Sequence, residues 1–289
     1  FFNFCILISP FYFIVNFEPI IFCLFLILIL GISHGALDNI KGKKLFKMFG
    51  YKSSIFYLAY IFISVLIVAS WLCFPNTVLF IFLVVASYHF GKEDTVFSFK
   101  RKFLISEFLF FFKGSSVILM PLLLKKAETI EIFRILNFNV FELSIFTDQF
   151  LIVTLFLSFL SSLYISQKKN ANLIGIMVMD FFSLFILNFF LTPVLAFTLY
   201  FCFLHSIRHS IKLIFELDKS IKSGLRKFIS RAIPLTLVTG VIFLLAIFFL
   251  NNFYKLDEAI YKVIFIGLAS LTFPHILLEY LLENNEKRT

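Results

Sequence analysis

The stretch PVLAFTLYFCFLHSIRHSIKLI, residues 193–214, is apolar over most of its length, opens on a proline and carries two histidines four residues apart. Crossing the hydrocarbon core of a bilayer as a helix takes about 20 mostly apolar residues, because each adds only about 1.5 Å of rise. Proline suits the first helical turn, where its missing N–H costs nothing. The segment therefore reads as a membrane-spanning helix. In an α-helix His205 and His209 share one face, with Cβ atoms about 5–6 Å apart, a spacing that suits two ligands on one metal ion.

The whole chain has the composition of that segment. Of 289 residues 61% are apolar, 20% are aromatic with 46 Phe, and only 15% are charged; the mean hydropathy is +0.99. A soluble domain carries about 45–50% apolar and about 25% charged residues, and a chain of this size could not hide such an excess from water. A soluble globular enzyme, a disulfide-stapled secreted domain and a disordered protein are excluded. The net charge of +9 does not point to nucleic acid, because the basic residues sit in short runs between apolar segments, as membrane anchors do. Cys5, Cys23, Cys73 and Cys202 all lie in apolar stretches and read as free thiols. The chain opens on Phe1 rather than Met, so its N-terminus reads as incomplete. Its first apolar stretch lacks the basic start and small-residue cleavage site of a signal peptide.

Breaking the sequence at Pro, Asn, Gly and charge clusters gives candidate spans at 1–15, 19–38, 54–73, 76–91, 103–124, 147–166, 171–190, 193–214, 231–250 and 260–283, with 127–146 as an amphipathic interfacial helix. The expected fold is all-α: a polytopic transmembrane helix bundle of about 8–10 spans, forming a single integral-membrane domain over 1–289. With the loop after the second span inside, loop Lys and Arg divide 19 inside to 5 outside, as the positive-inside rule asks.

All five histidines, His34, His89, His205, His209 and His275, fall in these spans, where an ionisable side chain is costly and usually functional. Each lies 12–16 residues from the start of a span that runs outside to inside, which is about 18–24 Å below the outer border, toward the cytoplasmic side. Convergent imidazoles are how a bundle holds a transition metal, and His ligands with few thiols suit Fe, Zn, Cu or Ni rather than Mg or Ca. Ligation of haem by two His is open in principle, but its ligands come from opposite sides, whereas His205 and His209 share a face. Asp38, Glu93 and Glu279 each follow a histidine by four residues, and Asp94 comes one residue after Glu93. Such carboxylates either accept the second ring N–H of a histidine and fix its tautomer, or are charges at the membrane border.

GISHGALD (31–38), SYHFGKED (87–94), LHSIRHS (204–210) and FPHILLEY (273–280) resemble, in order and over nearly the whole chain, the successive histidine motifs of the Brp/Blh family. That family consists of integral-membrane β-carotene 15,15′-dioxygenases, often associated with rhodopsins. The resemblance implies Fe(II) held by His34, His89, His205 and His209, with His275 as a supporting residue. It further implies cleavage of β-carotene by O2 at the central double bond into two retinal molecules, a multi-pass location in the cell (inner) membrane, and a functional link to a retinal-binding rhodopsin. Ser33 in place of Pro before His34, and the missing start, depart from the pattern. An apolar polyene that partitions into the bilayer suits such an enzyme, and Tyr88, Phe90 and Tyr200 are candidates to line its path.

Other functional readings are a di-iron desaturase or hydroxylase, which needs about eight histidines, and a non-enzymatic transporter, channel or metal- or haem-binding membrane protein, which favours polar breaks at the midplane. Lys113 reads as a snorkelling side chain or a kink marker beside Gly114. Arg208 reads as reaching headgroups or a carboxylate such as Asp38, and Trp71 and Tyr60 as ordinary interfacial or core aromatics.

Overall fold

The structure, a computed structural model, describes residues 1–15, 20–95, 104–139, 147–167 and 171–286, and every regular element among them is helical. The order is α1 (Phe2–Val15), α2 (Ile20–Leu26), α3 (Asp38–Met48), α4 (Ser53–Cys73), α5 (Pro75–Glu93), α6 (Leu104–Leu124), α7 (Lys126–Ile135), α8 (Asp148–Gln167), α9 (Ala171–Phe190), α10 (Pro193–Leu199), α11 (Ile207–Leu217), α12 (Ile221–Leu250) and α13 (Leu256–Glu286). Six helical stretches among the described residues are long and apolar enough to cross a membrane, with shorter apolar helices at Ile20–Gly31 and Ile174–Phe190. In both α4 and α12 only 11% of the apolar window is buried inside the protein, so their Leu, Ile, Val and Phe side chains face outward, as residues solvated by lipid do.

Among the described residues two stretches depart from α-geometry, and both carry a histidine. After α2 the chain widens into a π-helical turn, Ile27–Gly31, and then tightens into a 3-10 helix, Ile32–Leu37, that contains His34. Between α10 and α11 a second π-helical segment, Tyr200–Ser206, contains His205. Widened turns of this kind occur frequently at functional sites. The expected continuous span at 19–38 is thus interrupted, because hydropathy reports how apolar a segment is and not how tightly it winds.

The helices group into two compact units, one of Phe1–Cys23 with Leu83–His205, the other of Leu24–Phe82 with Ser206–Thr289. In the first, α6 lies along α8, α9 packs on α1, α6 and α8, and α7 folds under α6. Small residues let these backbones approach, as membrane helices without a hydrophobic drive between them require: Ser115, Ser116, Ser158, Ser161 and Ser162 are buried. The Ser158 hydroxyl donates across the α6–α8 seam to the Lys113 carbonyl (3.1 Å). The closest approach joins α5 to α6 at Gly91 and Gly114, where an added Cβ would lie 1.7 Å from the Phe110 carbonyl oxygen and 1.9 Å from that of Ser87, respectively.

The amphipathic helix expected over 127–146 is α7, which buries Thr129, Ile132 and Phe133. It ends on Asn137 at φ 64°, with the Phe138 N–H returning to the Phe133 carbonyl (2.9 Å), the hydrogen bond of a Schellman cap. The remainder of that segment, 140–146, lies outside the described residues.

In the second unit α13 packs on α3, α4 and α12, while α12 also covers α11 and the 3-10 helix. Leu37, Leu213, Phe228 and Ala232 form one apolar cluster of this unit, and Leu45, Phe56, Leu278 and Leu282 another.

Candidate functional site

In the first unit the chemistry gathers around His205. Its ring is 1% exposed, and its Nδ1–H donates to Oδ1 of Asp94 at 2.9 Å. The Tyr200 hydroxyl donates to the other oxygen of the same carboxylate. A carboxylate accepting at Nδ1 fixes the tautomer, and Nε2 of His205 is buried outside any hydrogen bond. The His89 ring stands 5.2 Å away, centroid to centroid, at 68°. Phe90 meets His205 edge-on at 4.9 Å, and Phe201 lies nearly parallel to it at 5.7 Å. The imidazole is thereby clamped by a carboxylate on one side and aromatic faces on the others.

Beside it lies a small cavity of about 30 Å³, lined in part by Phe90, Asp94, Lys113, Asp180 and Tyr200. Lys113 neither snorkels nor marks a kink. It is 7% exposed, α6 runs unbroken past it, and its ammonium donates to the Thr95 hydroxyl (3.2 Å) and the Gly91 carbonyl (3.4 Å). Phe90 and Tyr200 border the cavity, whereas the Tyr88 hydroxyl donates to Glu107. Asp180 is absent from the sequence-based candidates. The signal was there, since a lone carboxylate in the middle of an apolar span is costly without a purpose.

In the second unit the same pattern recurs on different helices. Nδ1 of His275 lies 2.9 Å from both oxygens of Asp38, and the Tyr60 hydroxyl donates to Oδ2 of Asp38 (3.1 Å) and to the Leu271 carbonyl (3.3 Å). Asp38 and His275 are buried, at 6% and 3% exposure. The His209 ring stands 6.0 Å from that of His275 at 82°, and Nε2 of each is buried outside any hydrogen bond. Asp38, His275 and Glu279 bring ligand atoms within 4.8 Å of one another, though Glu279 is already engaged by Lys41 at 2.6 Å. Burial pulls the Lys41 ammonium toward a lower pKa, but Glu279, Glu216 and Asp38 outweigh it and the net direction is up.

Two of these carboxylates bond to histidines far along the chain. Asp38 bonds to His275, 237 residues away, and Asp94 bonds to His205, 111 residues away. The side chain of His34 lies outside the described residues. Tyr60 is not an ordinary core aromatic but a donor to Asp38, a role set by a partner 22 residues away on another helix.

Residues 25–283 match the family model for β-carotene 15,15′-dioxygenase. The chain belongs to that family. The match takes in all five histidines and both Tyr–Asp–His chains. A β-carotene 15,15′-dioxygenase from uncultured marine bacterium 66A03 is 30% identical over 258 residues, which is 88% of this chain and 90% of the relative. No solved structure matches this member of the family.

Proposed function

We propose that the chain cleaves β-carotene at its central 15,15′ double bond with O2 to give two molecules of all-trans-retinal, at Fe(II) held by His34, His89, His205 and His209. The observation that carries the reading is the family match over 25–283, within which every histidine of the chain lies. The described imidazoles of that set suit a ferrous ion: His89, His205 and His209 are buried, Nδ1 of His205 is engaged by a carboxylate, and its Nε2 lies outside any hydrogen bond. An imidazole bound at about 2.1 Å puts its ring centre about 3.2 Å from the ion, so two rings on one ion stand at most about 6.4 Å apart. The 5.2 Å between His89 and His205 is inside that limit.

Iron bound there supplies the electron-transfer chemistry with O2 that no side chain of this protein can perform. The protein's own groups set the geometry. Asp94 holds the Nδ1 proton of His205, and Tyr200 holds Asp94. Phe90 and Phe201 close the ring in and keep water off it. An apolar polyene reaches such a site from the bilayer, and the retinal formed there suits a retinal-binding rhodopsin in the same cell membrane.

The test is expression in a β-carotene-producing bacterial host, with extraction of retinal and measurement of the orange colour. Loss of colour with stoichiometric retinal supports the proposal. Membrane-inserted protein that leaves carotene intact with iron supplied overturns it. His89→Ala and His205→Ala should each abolish retinal formation while the protein still accumulates in the membrane, and full activity in either removes that residue from the ligand set.

A further inference from the structure

We propose that His275 is a metal ligand in its own right, with Asp38 and Tyr60 as its positioning residues. The inference rests on the metal-dependent reading above and adds to it a residue that the sequence motifs leave in a supporting role.

Three observations converge, two within the second unit and one from the first. The first is the chain Tyr60–Asp38–His275. The carboxylate receives the His275 Nδ1–H at 2.9 Å and the Tyr60 hydroxyl at 3.1 Å, so the ring is held in the tautomer whose Nε2 carries the lone pair. Metal-bound histidines almost always have their other nitrogen engaged in this way. Tyr60 is itself fixed, because its hydroxyl also meets the Leu271 carbonyl, one turn before His275 on α13 (3.3 Å).

The second is His209, whose ring centre is 6.0 Å from that of His275, inside the limit of about 6.4 Å for two imidazoles on one ion. Both rings are buried, and a packing role would not require two imidazoles to face each other in a membrane-embedded core.

The third is recurrence. The first unit builds Tyr200–Asp94–His205 with the same three residue types, the same ring nitrogen and the same 2.9 Å separation. The two chains use unrelated helices, so the shared arrangement reflects a shared demand on the imidazole. His205 stands in the ligand set already; the structure gives His275 the same support.

The test uses the full chain purified in detergent, stripped of metal and titrated with Fe(II), and separately with Co(II), whose visible absorption reports the nitrogen donors around it. The parent, His275→Ala, His275→Gln, Asp38→Asn and Tyr60→Phe are compared, with gel filtration to establish that each is folded. Loss of His275 is expected to weaken metal binding at least about 100-fold and to change the Co(II) spectrum, and added imidazole should restore part of that spectrum in His275→Ala. Asp38→Asn should lose about 10–100-fold in affinity, and Tyr60→Phe only a few-fold. Parental affinity with an unchanged Co(II) spectrum in folded His275→Ala or His275→Gln overturns the inference. Metal binding that depends on His275 in a protein that makes no retinal leaves the inference standing and sinks the proposed reaction. A parent chain that binds neither metal overturns both.

Discussion

Replacing Gly114 by Ala tests the seam on which the first unit is built. A Cβ on Gly114 would lie 1.9 Å from the Ser87 carbonyl oxygen and 2.5 Å from the Gly91 amide nitrogen. Ordinary contact begins at 3.4 Å, so the shortfall is about 1.5 Å. Both obstructing atoms are backbone, and no rotamer change can relieve the clash, so α5 and α6 must separate. Overpacking of this kind costs about 1–3 kcal/mol and occasionally more, against about 1 kcal/mol that alanine returns through helix propensity. A clash this deep belongs at the upper end, leaving a net loss of about 2 kcal/mol, or about 3 °C in melting temperature for a chain of 289 residues. Asp94 follows Gly91 by three residues, so the same displacement carries its 2.9 Å hydrogen bond to His205 beyond hydrogen-bonding reach. The assay is thermal unfolding in detergent, read by retention on gel filtration, alongside retinal yield. Gly175→Ala and Gly240→Ala are internal controls, because nothing lies within 4 Å of a Cβ at either position, and both should be neutral or slightly stabilising. If Gly114→Ala and Gly91→Ala melt with these controls, the close-approach argument is wrong.

Asp94→Asn keeps the shape of the carboxylate but weakens the acceptor for His205, and metal affinity should fall about 10–100-fold, with retinal formation partly recovered by excess Fe(II); parental affinity would refute the role. Lys113→Met should keep the packing of α6 but lose the bonds to Thr95 and Gly91, seen as faster proteolysis in the segment after α5. Asp218, between α11 and α12, accepts from Lys227 (2.7 Å), Ser223 (2.7 Å) and the Ser220 N–H (2.9 Å), and the Lys227 bond leads in holding its pKa below the ordinary 3.8. A lowered folded pKa means that its contribution is present above about pH 4 and is lost only as pH falls through the lower folded value. Trypsin cleavage at Lys219 and Lys222 should therefore be flat between pH 8 and 6 in the parent and faster throughout in Asp218→Asn.

The all-helical membrane fold was legible because lipid imposes it: a chain this apolar can satisfy its backbone only in helices or a closed barrel, and the apolar runs have helical length. The histidines were legible for the same reason, since each is an expense in a span. The geometry around them was less so. A continuous span was expected over 19–38, where the chain is π-helical at Ile27–Gly31 and 3-10 at Ile32–Leu37, and residue identity carries little information about those changes of winding. Seeing Asp94 as the acceptor for His205, and Tyr60 or Tyr200 as donors, depends on contacts between helices 22 to 111 residues apart, which no local period encodes. Asp180 was missed despite a readable sign, a single acid in the apolar run MVMDFFS.

The widened turn at Tyr200–Ser206 has the form of a one-residue insertion into an α-helix. Deleting one residue between Phe201 and Leu204 would let an ordinary helix run through, with better hydrogen bonds, and would swing His205 by about 100° relative to α10. A selection for thermal robustness alone would favour such deletions, and a selection for retinal output would remove them. Libraries screened under the two pressures should part company at this turn if it trades stability for the direction of one side chain.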